Sequence, residues 1–134
     1  MSPDLKSNRP LLDKLGVKPA SKVALIDLDE PWFVEELRRR TSDITRGKSR
    51  ARFDLVFYGV KQPADLGRLH ELKSWIEPNG AIWVVRPKGP GTPISDTRLI
   101  EAGLAAGLVD NKIASFSHTQ GAMRFVFRLK DRPR

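Results

Sequence analysis

The stretch Phe53–Arg86, FDLVFYGVKQPADLGRLHELKSWIEPNGAIWVVR, decides the fold class. Its first eight residues, FDLVFYGV, form an apolar run of β-branched and aromatic side chains without strict alternation, which reads as a central strand covered on both faces. Ala64–Ile76 then carries Leu66, Leu69, Leu72 and Ile76 on one side and predicts a helix, stopped by Pro78, Asn79 and Gly80. AIWVVR, Ala81–Arg86, is the next buried strand. Buried strands alternating with a helical segment indicate an α/β domain with a mainly parallel sheet.

Toward the N-terminus, KVALID (Lys22–Asp27) is another fully covered strand. Asp29, Glu30 and Pro31 follow as a helix start, with an acidic cap and proline at the first helical position. Phe33, Val34 and Leu37 are its inward stripe, and Arg38, Arg39 and Arg40 occupy the last turn, where cations complement the helix dipole. A sixth, weaker strand is expected between Asp43 and Lys48, with one isoleucine as its apolar content. Toward the C-terminus, PKGPGTP (Pro87–Pro93) is a loop, and Ser95 or Asp96 caps a helix running to about Gly107. Lys112–His118 and Met123–Leu129 predict an antiparallel hairpin turning near Gln120 and Gly121. Met123, Phe125, Phe127 and Leu129 give that hairpin an apolar face, and Arg124, Val126, Arg128 and Lys130 a largely basic one. The expectation is one three-layer α/β domain over residues 1–134, with five or six strands and with residues 1–9 and 131–134 as disordered tails.

Composition narrows the functional classes. The 134 residues are 40% apolar, with 24 Lys and Arg against 16 Asp and Glu, a formal charge of +8. That charge is concentrated. Residues 38–52 hold Arg38, Arg39, Arg40, Arg46, Lys48, Arg50 and Arg52 against Asp43, a net of +6, and residues 124–134 hold a net of +4, leaving −2 for the rest. The first run is a candidate anion or nucleic-acid site, although no aromatic residue interleaves it before Phe53. There is no cysteine, which removes disulfides, thiolate catalysis and Cys-ligated metals, and two histidines are too few for a histidine-rich metal site. No apolar run approaches the roughly 20 residues of a membrane helix, and Met1–Pro10 lacks a signal-peptide core. A cytoplasmic protein that binds no membrane and no metal is expected.

The order of elements resembles a class I S-adenosylmethionine-dependent methyltransferase with part of its first half missing. FDLVFYGV resembles that family's fourth strand. LKSWIEPNGAIWVV (Leu72–Val85) is similar to its helix, Pro-Gly turn and fifth strand, and GLVDNKIASFSHTQGAMRFVFR (Gly107–Arg128) to its closing antiparallel pair. PLLDKLGVKP (Pro10–Pro19) and WVVRPKG resemble a small bacterial family with this reduced, Rossmann-like fold. Three departures bear on function. Where the family has a glycine-rich cofactor turn, this chain has Asp27, Leu28, Asp29, Glu30, Pro31 and Trp32, with side chains that would compete with a ligand for space. Thr41–Phe53 is too short for the family's second strand, second helix and third strand. No Asn-Pro-Pro-Tyr signature follows FDLVFYGV; the residues there are Lys61, Gln62 and Pro63.

Ligands of such a sheet bind beyond the carboxyl ends of its strands. That rule gathers three loops, Asp27–Trp32, Gly59–Pro63 and Arg86–Ser95, and gives Asp27, Asp29, Tyr58, Gly59, Gln62, Arg86 and Lys88 as candidate cofactor-binding residues. Asp27 either accepts from a ribose hydroxyl or an amine, or caps the first helix. Lys88 with Gly89 and Gly91 offers a cation and free amides to an anion, without the order of a P-loop. Tyr58 and Gln62 are candidates for contact with a planar ring, and Tyr58 equally for strand packing. Trp32, Trp75 and Trp83 read as packing residues. No catalytic residue is assignable, and neither His70 nor His118 has a visible partner. The expected function is therefore binding or self-association, as a homodimer, on a degenerate methyltransferase-like fold with no cofactor. The alternatives are an S-adenosylmethionine-dependent methyltransferase and a nucleic-acid or anion-binding module.

Overall fold

A computed structural model describes residues 10–47 and 52–131. Residues 1–9 and 132–134, expected as tails, lie outside the described residues, as do Lys48 and Arg50 of the basic run. Asp131 closes a 3-10 turn, Leu129–Asp131, and accepts from Arg128 Nε at 2.7 Å.

The elements, in chain order, are α1 (Leu11–Lys14), β1 (Val23–Ile26), α2 (Pro31–Arg40), β2 (Ile44–Arg46) and β3 (Phe53–Gly59). A mostly 3-10 segment from Pro63 to Trp75 contains one short α-helix, α3 (Leu69–Leu72). Then come β4 (Ile76–Pro87), α4 (Asp96–Ala105), β5 (Leu108–Ser115) and β6 (Gln120–Phe127). The six strands form one sheet in the order β2-β1-β3-β4-β6-β5, with β2, β1, β3 and β4 parallel and β6 antiparallel to both β4 and β5.

Each face of the sheet is covered, which is why its strands read as continuous apolar runs. On one face Leu11, Leu12, Leu15 and Val17 around α1 and Phe33, Val34 and Leu37 of α2 pack on Leu25, Phe57, Trp83 and Val85. On the other, Leu66, Leu69, Leu72 and Trp75 with Leu99 of α4 pack on Ile26, Val56, Ile82, Met123 and Phe125. A fully buried Val, Leu or Phe contributes about 1.5–3 kcal/mol, so these two layers dominate the stability of the domain.

Several sequence expectations are corrected. The helix expected over Ala64–Ile76 is mainly 3-10, because Leu66, Leu69, Leu72 and Trp75 recur every three residues, the period at which 3-10 side chains align. Pro78, Asn79 and Gly80 do not end a helix; they lie within β4. Phe53 pairs with Ile76 while Leu55 pairs with Ala81, so the four residues Glu77–Gly80 bulge opposite Asp54 alone. A Cβ on Gly80 would lie 3.0 Å from the carbonyl oxygens of Phe53, Asp54 and Glu77. The hairpin turns at Phe116–Thr119 rather than at Gln120 and Gly121, with the amides of Phe116 and Ser117 both donating to Gln120 O at 3.0 Å. Its basic face is not a solvent face: Arg124 is half-buried between Trp83 and Lys112, while Leu129, expected on the apolar face, is 80% exposed. The weak sixth strand expected between Asp43 and Lys48 is present, as the three-residue edge strand β2.

Candidate functional site

The chain leaves β1 toward β2 on one side and places β3 on the other, so the carboxyl ends of β1 and β3 diverge into a crevice, where open α/β sheets bind ligands. The crevice is shaped by an unusual turn. Asp27, directly after β1, has φ 53°, and it alone of the described non-glycine residues takes a positive φ. Aspartate tolerates this left-handed backbone better than most residues, though less well than glycine. The turn lies so close to the end of β3 that a Cβ on Gly59 would be 2.4 Å from Asp27 O. The bare wall that a glycine-rich turn would give is thus supplied in part by the neighbouring strand.

Above this contact is an open cleft of about 660 Å³. Its floor is Leu25, Ile26 and Leu28, and its rim carries Asp27, Asp29 and Asp65 with Arg46, Lys61 and Arg68. Arg68 Nη1 is 3.3 Å from Asp27 Oδ2, its Nε is 3.6 Å from Glu71, and its guanidinium lies 5.8 Å from the centroid of the Trp75 ring. Arg46 Nη1 is 3.9 Å from Asp29 Oδ1, with both side chains largely exposed. Asp65 Oδ2 accepts from the Lys61 and Gln62 amides at 2.9 and 3.0 Å, and these bonds hold its carboxyl below the usual carboxylate range. The rim therefore presents matched acids and cations, suited to a polar ligand bearing both an amine or hydroxyls and an anionic group.

Of the candidate cofactor residues, Asp27, Asp29 and Gly59 line this cleft. Asp27 does not cap α2; Glu30 occupies that position without a side-chain cap bond, and Pro31 is the first helical residue. Gln62 forms a capping box with Asp65 at the start of the 3-10 segment. Arg86 pairs with Asp96 and donates to Pro87 O at 3.3 Å, and Lys88 Nζ donates to Ser115 Oγ at 2.7 Å, so both are bound within the β4–α4 and hairpin side. Trp32 packs on Phe33 and Phe116 and donates to Glu30 Oε1, leaving the cleft clear of its ring.

Tyr58 is buried and its hydroxyl donates to Asp65 O at 2.7 Å. Burial, reinforced by the charge of Asp65, pushes its pKa from 10.0 up to about 12. The phenol stays neutral in the fold to a higher pH than in the unfolded chain, so its contribution to stability is complete below pH 10 and is lost between pH 10 and about 12. Because this is the only tyrosine, phenolate absorbance reports it alone. Ionisation near pH 10 with native circular dichroism retained would contradict that arrangement.

The basic run is divided by the fold. Arg40 Nη1 bonds Asp13 Oδ1 at 2.9 Å and Val17 O at 2.8 Å, tying α2 to the segment after α1. Arg39 is exposed at the end of α2, and Arg52 is exposed at the amino end of β3. Arg38 and Arg46 line a separate groove of about 430 Å³ beside β2, with Val34, Thr41, Ser42 and Ile44. Leu28 and Lys61 lie in the loops that the strand-end rule gathers, whereas Asp65 and Arg68 were missed as cleft residues. Asp65 lies two residues beyond the Gly59–Pro63 loop; Arg68 is brought to Asp27 only by the 3-10 geometry. Among the described residues no group of three or more His, Asp or Glu is arranged to hold a metal ion. No helix there is long and apolar enough to cross a membrane.

No family model and no curated protein sequence matches the chain. Solved structures do. A SAM-dependent methyltransferase from Aquifex aeolicus superposes with a TM-score of 0.66 at 13% identity, covering 86% of each chain. The fibrillarin pre-rRNA processing protein of Methanococcus jannaschii gives 0.56 at 13% identity, over 83% of this chain and 68% of that one. The fold is that of the SAM-dependent methyltransferases. LepI in complex with SAM matches with a TM-score of 0.57 at 14% identity over 88% of this chain, which spans 39% of LepI's length. At such identities the likeness shows the methyltransferase fold alone.

Proposed function

We propose that this methyltransferase-fold domain binds an S-adenosylmethionine-type ligand in the cleft between β1 and β3, and that it acts as a binding domain rather than as a complete methyltransferase. The observation that carries the reading is the open cleft of about 660 Å³ at the strand-order switch, a volume within the range of about 300–1,000 Å³ typical of small-molecule sites. Its paired charges complement the zwitterionic amino-acid end of such a ligand. Asp27 or Asp29 would accept from the amine or the ribose hydroxyls, and Arg46 or Arg68 would meet the carboxylate. The residues after β3 support binding without transfer, because Gln62 and Asp65 are committed to each other's backbone in the capping box.

Calorimetric titration with S-adenosylhomocysteine is expected to give a dissociation constant on the order of 10–100 µM. Arg46→Ala should weaken it about tenfold, the loss of one charge-assisted contact, while Arg52→Ala at the opposite end of the sheet leaves it unchanged. Absence of binding by both S-adenosylmethionine and S-adenosylhomocysteine would overturn the ligand. Transfer of a labelled methyl group to an acceptor in the presence of the wild-type chain, but not of a Gly59→Val variant, would overturn the non-catalytic half.

A further inference from the structure

Three neighbouring strands send a donor toward the end of α1. Trp83 on β4 donates from Nε1 to Leu15 O at 2.9 Å, and Lys112 on β5 donates from Nζ to Lys14 O at 2.6 Å. Between them in the sheet, opposite both, is Arg124 on β6. Its position differs from theirs. The Arg124 Nε is completely buried and has no hydrogen-bond partner, and burial lowers the guanidinium's pKa by disfavouring its charge. Buried polar groups in native proteins are otherwise almost always paired; with Nε walled in and held by no internal acceptor, the two terminal nitrogens are the part of the guanidinium left to meet a ligand.

The remainder of this side chain borders a cavity of about 460 Å³ with Gly16, Lys18, Ser21, Asp54 and Asn79. The cavity lies toward the amino ends of the parallel strands, at the opposite end of the sheet from the β1–β3 cleft. The one acid among these residues, Asp54, directs Oδ2 to the Lys22 amide at 2.8 Å instead of to Arg124. Ser21 Oγ accepts from the Lys18 amide at 2.9 Å, which leaves its own hydrogen free to donate. Arg124 and Lys18 against Asp54 leave a single net positive charge, the complement of a monoanion.

We propose that this cavity is a carboxylate-binding site in which Arg124 anchors the carboxylate of a small organic acid, with Lys18 and Ser21 completing its contacts. A guanidinium fork matches a carboxylate with two parallel hydrogen bonds, and with Nε buried the two terminal nitrogens are the pair that meets the ligand. A phosphate dianion fits less well, since it would bring a second negative charge beside Asp54. The site is independent of the S-adenosylmethionine-type cleft.

Acetate is the probe. In a ¹H–¹⁵N titration of the full chain with sodium acetate, against sodium chloride at the same ionic strength, saturable shifts are expected at the Arg124 Nε–H and at the amides of Gly16, Lys18, Ser21 and Asn79. Arg124→Gln should weaken acetate binding at least tenfold, roughly the loss of a charge-assisted pair, while leaving S-adenosylhomocysteine titration of the cleft as in the wild type. If Arg124→Gln does not fold, Lys18→Ala, at an exposed position, should still weaken acetate about threefold through the lost charge. Shifts that match those in chloride, that fail to saturate, or that survive both substitutions would overturn the site. A saturable response to inorganic phosphate stronger than that to acetate would overturn the carboxylate assignment.

Discussion

Gly59→Ala is expected to destabilise the domain by about 2–4 kcal/mol, lowering its melting temperature by on the order of 10 °C, and to remove ligand binding in the cleft. The reason is geometric. The added methyl group would sit 2.4 Å from Asp27 O, 3.1 Å from Asp27 C and 3.2 Å from Leu28 Cα, all backbone atoms of the turn that directly follows the last β1–β3 pair, Ile26 and Tyr58. No rotamer change relieves such a contact; either the strand end or the turn must move, and both border the cleft. Gly67→Ala is the control, because a Cβ there has nothing within 4 Å and the residue has no positive φ. Urea denaturation of the two variants gives the comparison, and equal midpoints would show that the turn after β1 is soft.

Trp83 is the second sensitive position. Its ring is fully buried on a central strand, and its Nε1 is the link between the sheet and Leu15 O. Trp83→Ala should cost about 3–5 kcal/mol, the range for removing a large aromatic side chain from a core. Trp83→Phe separates packing from hydrogen bonding. It keeps most of the ring but leaves the Leu15 carbonyl without its partner, at an expected cost of about 1–3 kcal/mol. Hydrogen exchange should show faster exchange at the Leu15 and Val17 amides, which close the α1 turn onto Leu11 O and Leu12 O, with β3 unchanged. Uniform acceleration across the sheet would mean that α1 is not a separately anchored unit.

These two residues also show what sequence reading reaches. β1, β3 and the core of β4 were readable because a strand covered on both faces carries a continuous apolar run, as VALI does and as LVFY does after Asp54. The capped helix α4 was equally plain, with Ser95 accepting from the Arg98 amide at 3.2 Å. The segment from Pro63 to Trp75 was misread because its leucines satisfy a helical stripe loosely and a three-residue repeat more closely. The cleft was only partly visible. Asp27, Asp29 and Gly59 follow from knowing where strands end, but the openness of the turn does not. It depends on a left-handed aspartate facing a glycine 32 positions further along the chain. Arg124 was hidden for a related reason: alternation on β6 marked its face only as largely basic, whereas the residues around α1 pack on that face.

The attachment of α1 carries a consequence for how the chain is made. Its two sheet donors, Trp83 and Lys112, lie 68 and 98 residues downstream of the carbonyls they bind. At a synthesis rate of about 5–20 residues per second, Lys112 follows Lys14 by roughly 5–20 s. Throughout that interval Leu11, Leu12, Leu15 and Val17, all buried in the finished domain, have no completed surface to cover. Closing so long a loop also places their docking among the slow steps of folding. Core residues made well before the strands that anchor them are thus among the last of this domain to be held in place, and the nascent domain carries a leucine-rich segment open to chaperones until the β5–β6 hairpin has been synthesised.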